Sequence, residues 1–417
     1  MSERFDVIVV GAGAAGMMAA IAAAQRGAKT LVLERNEKVG RKIAITGKGR
    51  CNVTNACTRD GFFDAVKHNP RFLYSGYAAF DRNDTMAFFE KMGVPLKVER
   101  GNRVFPVSDR AFDIVDALRN GMRRAGAQLL CGVRVTELWI DDGVLCGVRD
   151  ETGREYESTS VVVTCGGVSY PTTGSDGDGY ALAKQAGHRL FAPRASLCAM
   201  TTSDGWTGKW AGLTLKNVTL HAKRGKKTIY EDIGEVLFTH SGVSGPLIFT
   251  LTSMIDNVEP EEIVCTLDLK SGLVEQQLDA KILREVSENP KKQTDSLFSG
   301  LLPHAMAQEM CRLCAIDPQQ NLSQLSRAQR ERMVAALKAF PIHLRGFAPI
   351  EEAVVTRGGV DVRRIDPSTR ASKLLDGLYF AGEVIDVDAK TGGFNLQIAF
   401  STGHLAGESA ARAALGE

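Results

Sequence analysis

No stretch of this 417-residue sequence stays apolar over the roughly 20 residues that a membrane-spanning helix requires. Met1 stands only a few residues ahead of the first strand-like run, so no leader segment is expected and a cytoplasmic location is. Charge of one sign is lacking too. Lys and Arg number 51 against 49 Asp and Glu, a formal net charge of +2, so nothing global attracts a polyanion. A disulfide framework is equally absent: the nine cysteines are odd in number and scattered through a chain long enough for two or three cored domains. They read as free thiols of a reducing compartment. Cys311 and Cys314 form the one close pair, on a helix expected over 305–315. Without a second pair or neighbouring histidines they read as core thiols, and no metal site is expected. Neither internal repeats nor low-complexity tracts occur. At 44% hydrophobic and 24% charged, the composition is that of an ordinary globular protein.

What is present begins at residue 5. Phe5–Val10 is an apolar run of strand length that leads into Gly11-Ala-Gly13-Ala14-Ala15-Gly16, then an alanine-rich helical stretch, then a second apolar run, Thr30–Leu33, ending at Glu34. Each part has a physical task in dinucleotide binding. Gly11 allows a tight turn, Gly13 removes a side chain that would block a pyrophosphate, and Gly16 lets helix and strand pack closely. The helix start offers unpaired N–H groups and the positive end of its dipole to the phosphates. Glu34 is placed to accept from ribose hydroxyls. An ADP-containing dinucleotide is therefore expected.

Four later features favour FAD over NAD(P). The stretch from Gly40 to Asn55 contains Arg41, Lys42, Gly49, Arg50, Cys51 and Asn52, a glycine- and cation-rich loop suited to passing pyrophosphate and flavin. A strand over 160–164 ends in Cys165-Gly166-Gly167 and precedes a Gly/Asp loop, 174–179, that enters a helix. Leu378–Ala381 leads into Gly382-Glu383, with Asp386 and Asp388 beyond, and an acid there is suited to ribityl hydroxyls. Thr391–Gln397 opens the last helix, whose N–H groups are expected at the pyrimidine edge of a flavin, where reduction places negative charge.

The arrangement of elements is expected to be α/β at both ends, with a helix over 113–125 and a hairpin at Asp141-Asp142-Gly143. Between them, 194–272 alternates with period two and 273–344 is helical in pattern. A discontinuous nucleotide-binding domain, 1–193 with 345–417, thus encloses a β-rich and a helical insert, and the active site is expected where the insert faces the flavin.

The blocks GAGAAG, GRKIAITGKGRCNVTN, GSDGDGYALAKQAG, LFTHSGVSGP, VTRGGVDV and LYFAGEVIDVDAKTGGFNLQIAFSTG run from one end of the chain to the other. Through them the sequence resembles a flavoprotein family with a Rossmann-like, glutathione-reductase-like FAD domain interrupted by a β-barrel plus helical insert. The resemblance implies non-covalent FAD held by Gly11, Gly13, Gly16, Glu34, Arg35, Arg41, Gly382, Glu383, Gly393, Asn395 and Leu396. Ala14, Ala15, Lys42, Gly49, Arg50, Cys51, Asn52, Val135 and Gly166 complete the candidate set. Family members are linked to reduction of conjugated C=C bonds in 3-oxo bile acids, to aminoacetone oxidation, and to reduction of an rRNA uridine to dihydrouridine.

Disulfide reductase chemistry is disfavoured, because Cys51 and Cys57 are spaced C-x5-C rather than C-x4-C and no second GxGxxG occurs in strand–helix context. NAD(P)H, if it is the donor, must dock transiently. Reduction of an enone also requires a proton source, and the candidates are Cys51 and His240, with Arg357 to hold a carbonyl. A small enone is the expected substrate. The basic run His221-Ala-Lys223-Arg224-Gly-Lys226-Lys227 keeps rRNA as an alternative partner. An aminoacetone-type oxidase or a non-catalytic FAD redox sensor are further alternatives.

Overall fold

Val7–Val10 and Leu31–Leu33 carry no polar side chain, and such runs are stable where a parallel sheet is covered on both faces. They occupy that setting in a computed structural model describing residues 3–255 and 258–417. Strand Arg4–Val10 pairs in parallel with Thr30–Glu34 on one side and Glu155–Val163 on the other. Gln128–Cys131 extends the sheet beyond Thr30–Glu34, and Leu378–Phe380 runs parallel beside Glu155–Val163. The hairpin Val135–Asp141 and Val144–Asp150 completes seven strands. Its turn has positive φ at both Asp142 (50°) and Gly143 (81°), the backbone that matches strand twist in a two-residue hairpin. The expected α/β, Rossmann-type architecture is present. It belongs to a unit comprising Met1–Ser196 and Pro349–Glu417.

Helix Ala14–Gln25 is buried over nearly its whole circumference, which its alanines permit. Helix Phe394–Leu415 approaches it closely: a Cβ on Gly403 would lie 2.3 Å from the Ala15 carbonyl oxygen, and one on Gly407 would lie 2.0 Å from that of Ala19. The first and last helices of this unit are thus in near-backbone contact.

Leu197–Ala348 forms the second unit. Seven antiparallel strands are ordered from Phe340–Ile342 at one edge to Leu344–Phe347 at the other. These edges are separated in sequence only by His343, so the sheet curls back on itself, in keeping with the barrel expected from the resemblance. Trp206 stacks on Trp210 at 4.8 Å, and both meet Phe238 edge-on. Leu278, Met310, Met333 and Leu337 from the helical segment share the same core. Residues from the expected β-rich and helical inserts, 194–272 and 273–344, thus share one hydrophobic core. Cys311 and Cys314 are buried within it. Among the described residues no helix is long and apolar enough to cross a membrane.

Candidate functional site

The glycine loop follows directly from strand Arg4–Val10. Gly11 has φ +97°, and a Cβ there would lie 3.0 Å from the Thr164 carbonyl oxygen. At Gly16 a Cβ would lie 1.8 Å from the Gly11 oxygen, so the loop closes only without one. Gly13 differs: a Cβ there would meet nothing within 4 Å, so protein packing does not require its glycine. The space beside it opens onto the start of helix Ala14–Gln25, which has no side-chain cap and no acidic residue in its first turn. Unpaired N–H groups with open space before them fit a diphosphate.

Glu34 is 6% exposed and fixes the loop from beneath. Its Oε2 accepts from Ala12 N–H at 2.7 Å, and its Oε1 accepts from the backbone and side-chain N–H groups of Asn36 at 2.9 and 2.7 Å. A carboxylate has about four acceptor positions, so capacity for a ribose hydroxyl remains. Arg41 donates to Asn36 Oδ1 at 2.7 Å, extending this chain of contacts. Arg35 pairs with Asp176 and Asp178, and Asp178 also receives a bidentate pair from Arg134 at 2.7 and 2.9 Å. The Gly/Asp loop therefore serves as an anchor for arginines. Val135 opens its strand, buried, next to Val133, whose N–H donates to the Glu34 carbonyl. Gly166 has φ +78°, and a Cβ there would press on Ser175.

The far end of the chain returns to the same sheet. Gly382 (φ +79°) lies against Ala15, where a Cβ would be 2.8 Å from the alanine methyl group. Glu383 accepts from Lys42 Nζ at 2.7 Å, Thr356 N–H at 2.8 Å and Ser169 Oγ at 3.1 Å. Gly393 caps the last helix with φ +91°, and a Cβ there would lie 2.3 Å from the Thr54 oxygen. Asn52 accepts from Gly393 N–H and donates to the Thr54 and Val104 carbonyls. Asn55 donates to the Gly392 oxygen at 2.9 Å, and Thr54 donates to Gln397 at 2.6 Å. The Arg-Cys-Asn loop is thereby fastened to the N-terminus of the last helix. Leu396 lies in that helix's first turn, where N–H groups have no intrahelical partner.

Asn395 was expected to bind the cofactor; its side chain both accepts from and donates to the Ala389 backbone, at 3.0 and 2.9 Å. Arg50, a candidate in the cofactor-binding loop, pairs with Glu99 and Asp109 and lies 4.2 Å over the Phe105 ring, while neighbouring Gly49 has φ +83°. Cys51 was the first candidate acid; it is fully buried in an apolar cluster, and burial pushes its thiol up to about 12. A thiol so placed neither reaches a substrate nor releases a proton readily. His240 lies in the second unit, exposed at the turn between strands Lys227–Phe238 and Gly242–Ser244. Arg357 belongs to the first unit, on buried strand Val355–Val360, with Nε 3.6 Å from Asp388. Asp388, beyond Gly382-Glu383, bonds His68 through its buried carboxylate and accepts from Ser196 Oγ at 2.8 Å. Burial opposes its ionisation, but the His68 hydrogen bond and the Arg357 charge outweigh it and hold the group below the usual carboxylate range. His68 and Ser196 escaped sequence reading because residues so far apart in the chain share no spacing signal.

Parallel sheet, glycine loop, uncapped helix start and buried acid define a Rossmann-fold dinucleotide-binding protein, and its relatives make it an FAD-dependent oxidoreductase. Residues 5–409 match the model of the HI0933-like protein Rossmann domain, and the chain belongs to that family. It is 31% identical to the 3-dehydro-bile acid delta(4,6)-reductase of Clostridium scindens, over 97% of this chain and 98% of the relative. It is 30% identical to the ribosomal RNA dihydrouridine synthase of Escherichia coli, over 96% of each. The fold is shared with the 3-ketosteroid delta1-dehydrogenase of Sterolibacterium denitrificans at 12% identity and TM-score 0.54, covering 98% of this chain and 100% of that one.

Proposed function

We propose that this protein reduces an activated C=C bond, one conjugated to a carbonyl, in a small enone of the 3-oxo steroid or bile-acid kind. The observation that carries this reading is end-to-end similarity to a relative named for that reduction, on a scaffold with a single glycine-loop seat. Bound FAD in its reduced form supplies the hydride. The protein's own residues orient the cofactor: the open space at Gly13 receives the diphosphate, Glu34 the ribose, and Glu383, held by Lys42, the ribityl chain. NAD(P)H serves as a transient donor, because no second glycine fingerprint exists to seat it. Cys51 and Cys57 are free thiols, and Cys51 is sealed in the core, which argues against disulfide relay chemistry.

A second reading, reduction of a uracil C5=C6 bond in large-subunit rRNA, is favoured by one specific feature. Lys223, Lys226 and Lys227 are exposed at the tip of the hairpin Thr214–Arg224 and Lys227–Phe238. In the same tip His221 faces Glu231 and Arg224 pairs with Glu262, so two of its five basic residues are matched by acids. With three of the five left to meet phosphates, the reading tilts toward the small enone. Anaerobic assay of the purified holoprotein tests it: NAD(P)H is expected to bleach the flavin, and a 3-oxo-Δ4 steroid to restore its colour. Loss of a dihydrouridine from the rRNA of a deletion strain, together with inertness to enones, would instead establish the second reading.

A further inference from the structure

Reduction of a conjugated C=C bond consumes one proton, and with Cys51 sealed in the core the first unit needs another source. We infer that His68 donates that proton and that Asp388 positions its ring; the inference rests on the reduction proposed above. His68 follows helix Arg59–Ala65, in a segment joined to residues 386–390. Val66 bridges to Ala389, Lys67 N–H donates to the Asp388 carbonyl at 2.9 Å, and Lys390 N–H donates to Ala65 at 3.0 Å. Asn69 Nδ2 donates to the Asp386 carbonyl at 2.7 Å. The partner segment lies between Glu383 and Gly393, both assigned to the flavin cradle, so His68 is anchored to the stretch that joins them.

Among the described residues the imidazole has one hydrogen-bond partner. Nδ1 bonds Asp388 Oδ1, and the Asp388 side chain is 1% exposed whereas that of His68 is 26% exposed. Asp388 Oδ2 is in turn set by Ser196 Oγ and faces Arg357. A buried carboxylate on Nδ1 fixes both tautomer and ring orientation, and it stabilises the imidazolium. Nε2, across the ring, is then the nitrogen that meets a substrate. The other charged groups around the pair are Asp386 and Lys390 on the partner segment, Lys67 beside His68, and Arg357. The step balances. The substrate β-carbon gains a hydride from reduced FAD, which is oxidised by two electrons, and the α-carbon gains the Nε2 proton. The imidazole is left neutral with its proton on Nδ1 against Asp388, and solvent recharges it.

The test uses the holoprotein, photoreduced without oxygen and mixed with a 3-oxo-Δ4 steroid. His68→Gln is expected to keep its FAD and its photoreduction, yet to slow reoxidation about 100-fold or more, as loss of a general acid does. The pH profile of reoxidation should differ between the unaltered protein and His68→Gln, and Asp388→Asn, whose amide leaves the ring without a carboxylate anchor, should also slow reoxidation. Independently of turnover, nitrogen-15 NMR of the unaltered protein should show neutral His68 protonated on Nδ1, a signature lost in Asp388→Asn. Reoxidation of His68→Gln within twofold of the unaltered protein, with the same pH profile, overturns the role of His68. So does a neutral His68 protonated on Nε2, and that measurement decides the matter if His68→Gln loses its FAD. Failure of the unaltered protein to be reoxidised by any enone overturns the proposed reaction instead.

Discussion

At Gly13 an added methyl group would meet no protein atom within 4 Å, whereas at Gly16 it would lie 1.8 Å from a backbone oxygen. The two glycines of one motif therefore fail in different ways. Gly16→Ala is expected to destabilise the protein by about 2–3 kcal/mol, the scale of overpacking against backbone that cannot yield. Gly13→Ala should leave the thermal midpoint of the FAD-free protein within error of the parent while weakening FAD binding about tenfold or more, or ~1.4 kcal/mol. Equal destabilisation of the two FAD-free variants would contradict this. His188 supplies a pH dependence. It is 4% exposed, its Nε2 lies 2.7 Å from Ser372 Oγ, and burial lowers it from 6.5 to about 4. A depressed folded value means the unfolded chain takes up the proton first, so stability present above pH 6.5 is lost as pH falls toward 4. Urea unfolding should show about 2 kcal/mol less stability at pH 5 than at pH 7 from this group, at ~1.4 kcal/mol per unit. His188→Gln should flatten that slope, and an unchanged slope would assign it elsewhere.

Gly403 and Gly407 set the distance between the first and last helices. In an exposed helix, glycine to alanine gains about 1 kcal/mol of helix propensity. Here each added Cβ would lie 2.0–2.3 Å from an Ala15 or Ala19 oxygen, and the helices would have to part. Gly403→Ala and Gly407→Ala are expected to lower stability by about 1–3 kcal/mol each in denaturant titrations. Gly403→Ala should also release FAD, since Ala15 belongs to the glycine loop. Elements with a local signature were legible in sequence. The apolar strands, the Asp142-Gly143 hairpin and the last helix all fell within a few residues of their expected bounds. The edge strands Phe340–Ile342 and Leu344–Phe347 were not, because three or four residues carry no readable period and Pro341 reads as a breaker. That the helical segment shares a core with the sheet was not legible, because Leu278, Met310, Met333 and Leu337 meet Trp206 and Trp210 across segments with no common spacing.

Across the whole molecule, the tight glycine turns were legible wherever one short block sets its own backbone, as in Gly11–Gly16 or Gly382-Glu383. The ion pairs of Arg50 with Glu99 and Asp109 were not legible. Nor were the partners of Asp388, which come from three distant segments. Those pairings exist only once the chain has folded, and no periodicity announces them. The near-neutral charge and the single fingerprint make one further expectation for the entire protein: one FAD per chain, with enone turnover nearly independent of salt, whereas binding through phosphates would weaken steeply between 50 and 200 mM salt. The central claim is that this one flavin delivers its electrons to a conjugated C=C bond. Single-turnover mixing of photoreduced holoprotein with a 3-oxo-Δ4 steroid, free of oxygen and nicotinamide, tests it most directly. The expected result is return of oxidised-flavin absorbance in step with one equivalent of product carrying two added hydrogens. A flavin that stays reduced until oxygen is admitted, with the steroid recovered unchanged, would contradict the claim.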